Sequence, residues 1–226
     1  MNILMIVTSH EDFGSSGRKT GLWLEELAAP YYRFKEAGAD ITLASPLGGQ
    51  PPVDPASLGD DFQSDDTRRF TDDSEAQDLL ANTKPLSSLK ADGFDAVFYP
   101  GGHGPLYDLT DDVHSLALLR SFNADQRPIG TVCHGVTALI KATDANDAPI
   151  VEGREITGFT DSEEAAAGAT EIVPFSVEQE LVKAGAIFKS ANDWADYSIR
   201  DGHIVTGQNP GSSDSTARLL LDALKA

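Results

Sequence analysis

At 226 residues, 40% hydrophobic and 23% charged, the chain has the length and composition of one large globular domain with a substantial core. Its 17 Lys and Arg against 36 Asp and Glu give a formal net charge of −19, which argues against a nucleic-acid partner and against binding to an anionic membrane. No apolar run reaches the roughly 18 residues needed to cross a bilayer, and the first residues lack the basic and small-residue features of a secretory leader, so a cytoplasmic location is expected.

In chain order, residues 2–8 and 40–45 are short apolar runs bounded by turn formers, the pattern of buried parallel strands. Between them, Trp23, Leu27, Pro30, Tyr31 and Phe34 follow the spacing of a helix laid on a sheet, stopped by Ala37 and Gly38. Residues 46–90 break the rhythm with Gly, Pro, Asp and Ser and read as a cap-like insertion into a single domain spanning 1–226. Strand (94–99), helix (112–123) and strand (128–132) then alternate up to Cys133. Helices are expected at 176–185 and 213–225, and a hairpin turning at Asp201 and Gly202. The expected fold is a doubly wound, flavodoxin-like α/β sandwich, whose ligands bind beyond the C-terminal ends of the strands.

Two strand ends carry chemistry. Residues 130–135 (Gly-Thr-Val-Cys-His-Gly) place the chain's one cysteine between small residues where a strand meets a helix, the setting of a nucleophile elbow. A helix N-terminus behind Cys133 favours a thiolate; burial as an inert small hydrophobe is the alternative. Residues 99–104 (Tyr-Pro-Gly-Gly-His-Gly) also follow a strand, and Gly101, Gly102 and His103 are expected to supply oxyanion donors and line a substrate pocket. Neither a phosphate loop nor a dinucleotide glycine pattern is present, so no cofactor and no metal are expected. On the first helix, Glu25 and Glu26 both have apolar neighbours. Periodicity does not separate them, although Pro30 has no N–H for the carbonyl of Glu26.

Together, the Gly101–Gly104 loop, the Cys133 elbow, residues 22–26 (Leu-Trp-Leu-Glu-Glu) with Pro30, residues 156–164 and residues 206–210 (Thr-Gly-Gln-Asn-Pro) resemble the ThiJ/PfpI superfamily. The likeness runs nearly end to end. It is strongest to the branch of thirty-one-kilodalton heat-shock chaperones that includes glutathione-independent glyoxalases. It implies a homodimer acting on a small 2-oxoaldehyde, with Cys133 as nucleophile and Glu26, aligned through Pro30, as the carboxyl beside it. His134 would be the histidine partner and Glu164 the third acid, with Glu163 and Asp161 as alternatives. Methylglyoxal would become lactate through a hemithioacetal on Cys133, and repair of early glycation adducts could use the same parts. Two rival functions use the same residues differently: hydrolysis of amide or peptide bonds, and a stress-response holdase or redox sensor.

Overall fold

The N-terminal run is apolar without alternation because it is covered on both sides. Strand β1 (Asn2–Ile6) sends Ile3 and Met5 into one core cluster and Leu4 and Ile6 into another. In the computed structural model, which describes residues 1–225, β1 pairs in parallel with β2 (Asp40–Ser45) on one side and β4 (Ala96–Tyr99) on the other. With β3 (Lys84–Pro85), β5 (Ile129–Val132), β8 (Ser198–Asp201) and β9 (Ile204–Gly207), the sheet runs in the order β3-β2-β1-β4-β5-β9-β8. Every pairing in it is parallel except the β8–β9 hairpin, which turns where Asp201 and Gly202 stand in the sequence. The strand order reverses direction at β1, so the chain is doubly wound and leaves a crevice at the C-terminal strand ends. A second, two-stranded sheet pairs β6 (Glu155–Ile156) with β7 (Ile187–Phe188).

Helices cover both faces. On one, α1 (Leu24–Glu36) and α8 (Ser213–Ala223) bury Leu27, Phe34 and Leu220 against Met5 and Phe98. On the other, α5 (Val113–Ala124) and α7 (Val177–Lys183) bury Leu119, Phe122 and Leu181. Full burial of a side chain such as Phe34 or Phe122 contributes about 1.5–3 kcal/mol, so the two layers are what fix α1 and β5 relative to each other. The expected helices at 112–123, 176–185 and 213–225 lie within two residues of α5, α7 and α8.

Residues 46–90 are more regular than expected. They hold α2 (Asp65–Asp72), capped by Ser64 in a reciprocal box with Thr67, and α3 (Ser74–Ala81), capped by Asp73. Phe70 stacks edge-on to Tyr31 and Tyr32 of α1, at 5.3 and 6.3 Å between ring centres, and Leu80 joins the same cluster. The segment is thereby seated on α1. Its leading loop carries Asp54, Pro55, Ala56 and Phe62 to the mouth of the crevice.

Candidate active site

Strands β4 and β5 are neighbours, with Tyr99 opposite Thr131, so the chain leaves both at the same level of the sheet. Cys133 follows β5 directly with φ +56°, a left-handed conformation that costs a residue with a Cβ about 1–3 kcal/mol and lifts the side chain above the strand ends. The turn closes because position 135 is glycine: a Cβ there would lie 2.2 Å from the carbonyl oxygen of Tyr99. Gly102 has φ +90°, and a Cβ on it would meet the carbonyl oxygen of Gly21 at 2.4 Å, which is how the loop after β4 approaches the start of α1. The expected α-helix after the cysteine is instead a 3₁₀ helix, Cys133–Leu139. The sulfur is therefore served by two individual amides, those of His134 and Gly102, rather than by an α-helical N-terminus.

Glu26 and Glu25 separate once the helix is placed. Glu26 is fully buried, whereas Glu25 turns outward and accepts a hydrogen bond from Ser64. Glu26 Oε2 accepts the Gly101 amide at 2.7 Å. That amide is consequently not free for an oxyanion, which corrects the expected role of Gly101 and leaves the amides of Gly102 and His134 as the available donors. The other oxygen, Oε1, is buried without an N–H or O–H partner, and the carboxyl lies against the Cys133 thiol. Burial pushes the Glu26 carboxyl up to about 8. Burial, and then the neighbouring Glu26, push the thiol of Cys133 well above its ordinary value. Burial and Glu26 thus oppose the thiolate that the two amides favour. Both shifts favour a carboxyl and a thiol that keep their protons.

A group able to accept a hydrogen bond from the thiol is adjacent. His134 Nδ1 lies 3.3 Å from Cys133 Sγ, and His134 Nε2 donates to Glu164 Oε2 at 2.7 Å. An ionised carboxylate can only accept, so the ring proton belongs on Nε2, leaving Nδ1 an acceptor for the thiol. His134 is fully buried; burial and then His103 lower its pKa and favour this neutral form. Burial opposes ionisation of Glu164, but the charge and hydrogen bonds of His134 and His103 outweigh it and hold the carboxyl well below the usual range. His103 Nε2 donates to the second oxygen, Oε1, at 2.8 Å. Of the three carboxylates near the end of residues 156–164, Glu164 is the one that reaches His134; Asp161 instead bonds Ser176 and Gln179. Among the described residues, His103, His134 and Glu164 form the one group whose donor atoms, all within 4.8 Å of one another, could also hold a metal ion.

Glu163 has a separate task that the sequence reading missed. Its Oε1 accepts from the Trp194 amide (2.8 Å), Gln208 Nε2 (3.0 Å) and Asn209 Nδ2 (2.8 Å), and its Oε2 from the amide and hydroxyl of Thr160. A fully buried carboxylate thus ties the start of α6 (Asp161–Ala166) to the loops carrying Trp194 and Asn209. The spacing Thr160-x-x-Glu163 is a capping box that was legible in the sequence; the distant donors were not. Removing the carboxylate in Glu163→Ala strands several buried donors, each worth about 1–3 kcal/mol. We expect a loss of ~3 kcal/mol or more, a fall in melting temperature of roughly 6–12 °C for a chain of this size, read by calorimetry.

Cys133, Glu26, Gly102, His103 and His134 open onto a cavity of about 690 Å³. Phe159 lies against His134 at 4.4 Å and Phe13 against His103 at 4.5 Å, Trp194 meets Phe159 edge-on at 5.7 Å, and Trp23 and Phe62, also lining the cavity, meet edge-on at 5.0 Å. Aromatic walls exclude water around the thiol, which strengthens every electrostatic contact there.

A family model described as the DJ-1/PfpI family matches residues 20–223. A protein of Saccharomyces cerevisiae named glutathione-independent glyoxalase HSP31 is 34% identical, the match covering 99% of this chain and 98% of that one. The crystal structure of glyoxalase III from Candida albicans superimposes with a TM-score of 0.93 at 31% identity, covering 99% of this chain and 97% of the other. The Rapid Encystment Protein of 24 kDa from Francisella tularensis superimposes with a TM-score of 0.95 at 37% identity, covering 99% and 98%.

Proposed function

Because the chain belongs to the DJ-1/PfpI family, we propose that it converts small 2-oxoaldehydes such as methylglyoxal to the 2-hydroxy acid, using Cys133 and no glutathione. The observation that carries the reading is the fully buried Glu26 carboxyl, with one oxygen unpartnered, against the Cys133 thiol. Hydrolysis of an acyl bond needs a nucleophile, a histidine and an oxyanion hole; an extra buried carboxyl at the thiol suits a reaction that moves a proton between carbons.

As Sγ bonds to the aldehyde carbon C1, His134 Nδ1 takes the thiol proton and the carbonyl oxygen, facing the amides of Gly102 and His134, becomes the hemithioacetal alkoxide. Ionised Glu26 removes the proton from C1 while the imidazolium of His134 protonates the ketone oxygen, giving an enediolate that keeps its charge on the C1 oxygen. Glu26 returns its proton to C2 as the C1 oxygen re-forms a carbonyl, leaving a thioester, a neutral His134 and an ionised Glu26. Water, deprotonated by His134 with Glu164 holding the ring, releases lactate and the thiol. The segment 46–90 caps the pocket, and the family likeness supports a cytoplasmic homodimer.

The test is lactate formation from methylglyoxal by purified protein in glutathione-free buffer with excess chelator, matched mole for mole to aldehyde lost. Absence of turnover by folded protein overturns the proposal. Because the carboxylate form of Glu26 is the base and its pKa is raised to about 8, the active fraction grows as pH rises. We expect kcat/KM to climb from pH 6 through pH 8 along one ionisation and to level only above about pH 9. A rate that is flat over that interval contradicts the role given to Glu26.

A further inference from the structure

Methylglyoxal, with three carbons and two oxygens, fills one corner of a cavity of about 690 Å³, which lies within the range of about 300–1,000 Å³ typical of sites for much larger ligands. The space beyond the thiol is lined by Phe13, Trp23, Phe62, Phe159 and Trp194, an apolar slot that suits a flat or branched body. At its mouth stand two consecutive cations, Arg18 and Lys19, in a chain with more than twice as many acidic as basic residues. They are not equivalent. Lys19 Nζ is held by Glu11 at 2.7 Å and by Asp12 at 2.8 Å. Arg18 has no carboxylate partner among the described residues; its guanidinium lies over the ring of Phe13 at 4.8 Å. Phe13 in turn stacks on His103, and His103 on His134 at 4.3 Å, so Arg18 ends a continuous stack that begins beside the nucleophile. Asp54, the charged wall residue nearby, is turned onto the Thr20 hydroxyl and the Ala56 amide.

We propose that the preferred substrates are 2-oxoaldehydes whose ketone carries an apolar, aromatic-sized body ending in a carboxylate or similar anion, with Arg18 as the residue that selects them. This rests on the glyoxalase reading of the same site and extends it to the far end of the pocket. A guanidinium stacked on an aromatic ring is pre-oriented, with its fork of donors available for bidentate contact with a carboxylate.

The test compares kcat/KM for phenylglyoxal and 4-carboxyphenylglyoxal, which differ only in the carboxylate, in wild type, Arg18→Ala and Arg18→Glu. Initial rates are used, with intact-mass checks, because arylglyoxals also modify arginine. The carboxylated substrate should be favoured by about tenfold in wild type. The preference should vanish in Arg18→Ala, reverse in Arg18→Glu and weaken in salt. Equal rates in wild type, or a preference that survives Arg18→Ala, overturn the proposal even if both aldehydes are consumed. Failure of all 2-oxoaldehydes, methylglyoxal included, overturns the glyoxalase reading instead. In that case quenching of Trp23 and Trp194 by 4-carboxymandelate against mandelate decides the Arg18 question: tighter binding of the former, lost in Arg18→Ala, supports the anion site, and equal binding removes it.

Discussion

Cys133→Ser should lower lactate formation from methylglyoxal by at least ~10⁴-fold, the scale on which enzymes lose turnover when a covalent nucleophile is replaced. The substitution keeps the volume of the side chain and the left-handed backbone at position 133, so the fold should survive it. The chemistry should not. A serine hydroxyl beside a neutral, buried His134 is far less acidic than a thiol, and the oxygen ester of an enediol path does not form without an activated alkoxide. The same variant separates catalysis from a holdase role, since suppression of client aggregation by apolar surface does not depend on the sulfur atom. The measurement is lactate release beside a light-scattering assay. A variant that suppresses aggregation as wild type does, with wild type itself making no lactate, favours the holdase.

Glu26→Gln should reduce the same activity by about 10³-fold, the middle of the range of general acid–base effects, because one group is asked to remove a proton from C1 and deliver it to C2. The change is nearly isosteric, and the new side-chain oxygen can still accept the Gly101 amide at the position of Oε2. Alkylation of Cys133 by iodoacetamide should therefore continue, showing an intact thiol in an inactive enzyme. An acyl-transfer enzyme would respond differently: its Cys133, His134, Glu164 and amide donors are all untouched by Glu26→Gln. Hydrolysis of a model ester or amide at the wild-type rate by this variant, together with no glyoxalase activity in wild type, would shift the reading to a hydrolase.

The elbow and its partner loop were legible because their causes are local. A strand of small and β-branched residues running into Cys133, and a second strand running into Gly101 and Gly102, require the same tight geometry in any fold that pairs the two strands. The choice between Glu25 and Glu26 was not local. Both have apolar neighbours along the helix, and the decision comes from Gly101, a residue 75 positions away that meets one carboxyl and not the other. The structural role of Glu163 was hidden for the same reason, since its donors at 194, 208 and 209 come together only in the folded chain. Acid-rich composition hid α2 and α3, whose capping residues Ser64 and Asp73 were nonetheless readable. His203 is buried and bonded to Asn123, because the hairpin carrying it packs beside β5.

The central claim is that a carboxyl and a thiol buried together carry out the isomerisation. Its most direct test is a proton NMR time course of methylglyoxal with wild type, Cys133→Ser and Glu26→Gln, side by side, without glutathione and with chelator present. Wild type should give stoichiometric lactate, and neither variant any above background. Lactate from Glu26→Gln at a rate within about tenfold of wild type would contradict that claim, because loss of an essential general acid–base group costs about 10²-fold or more.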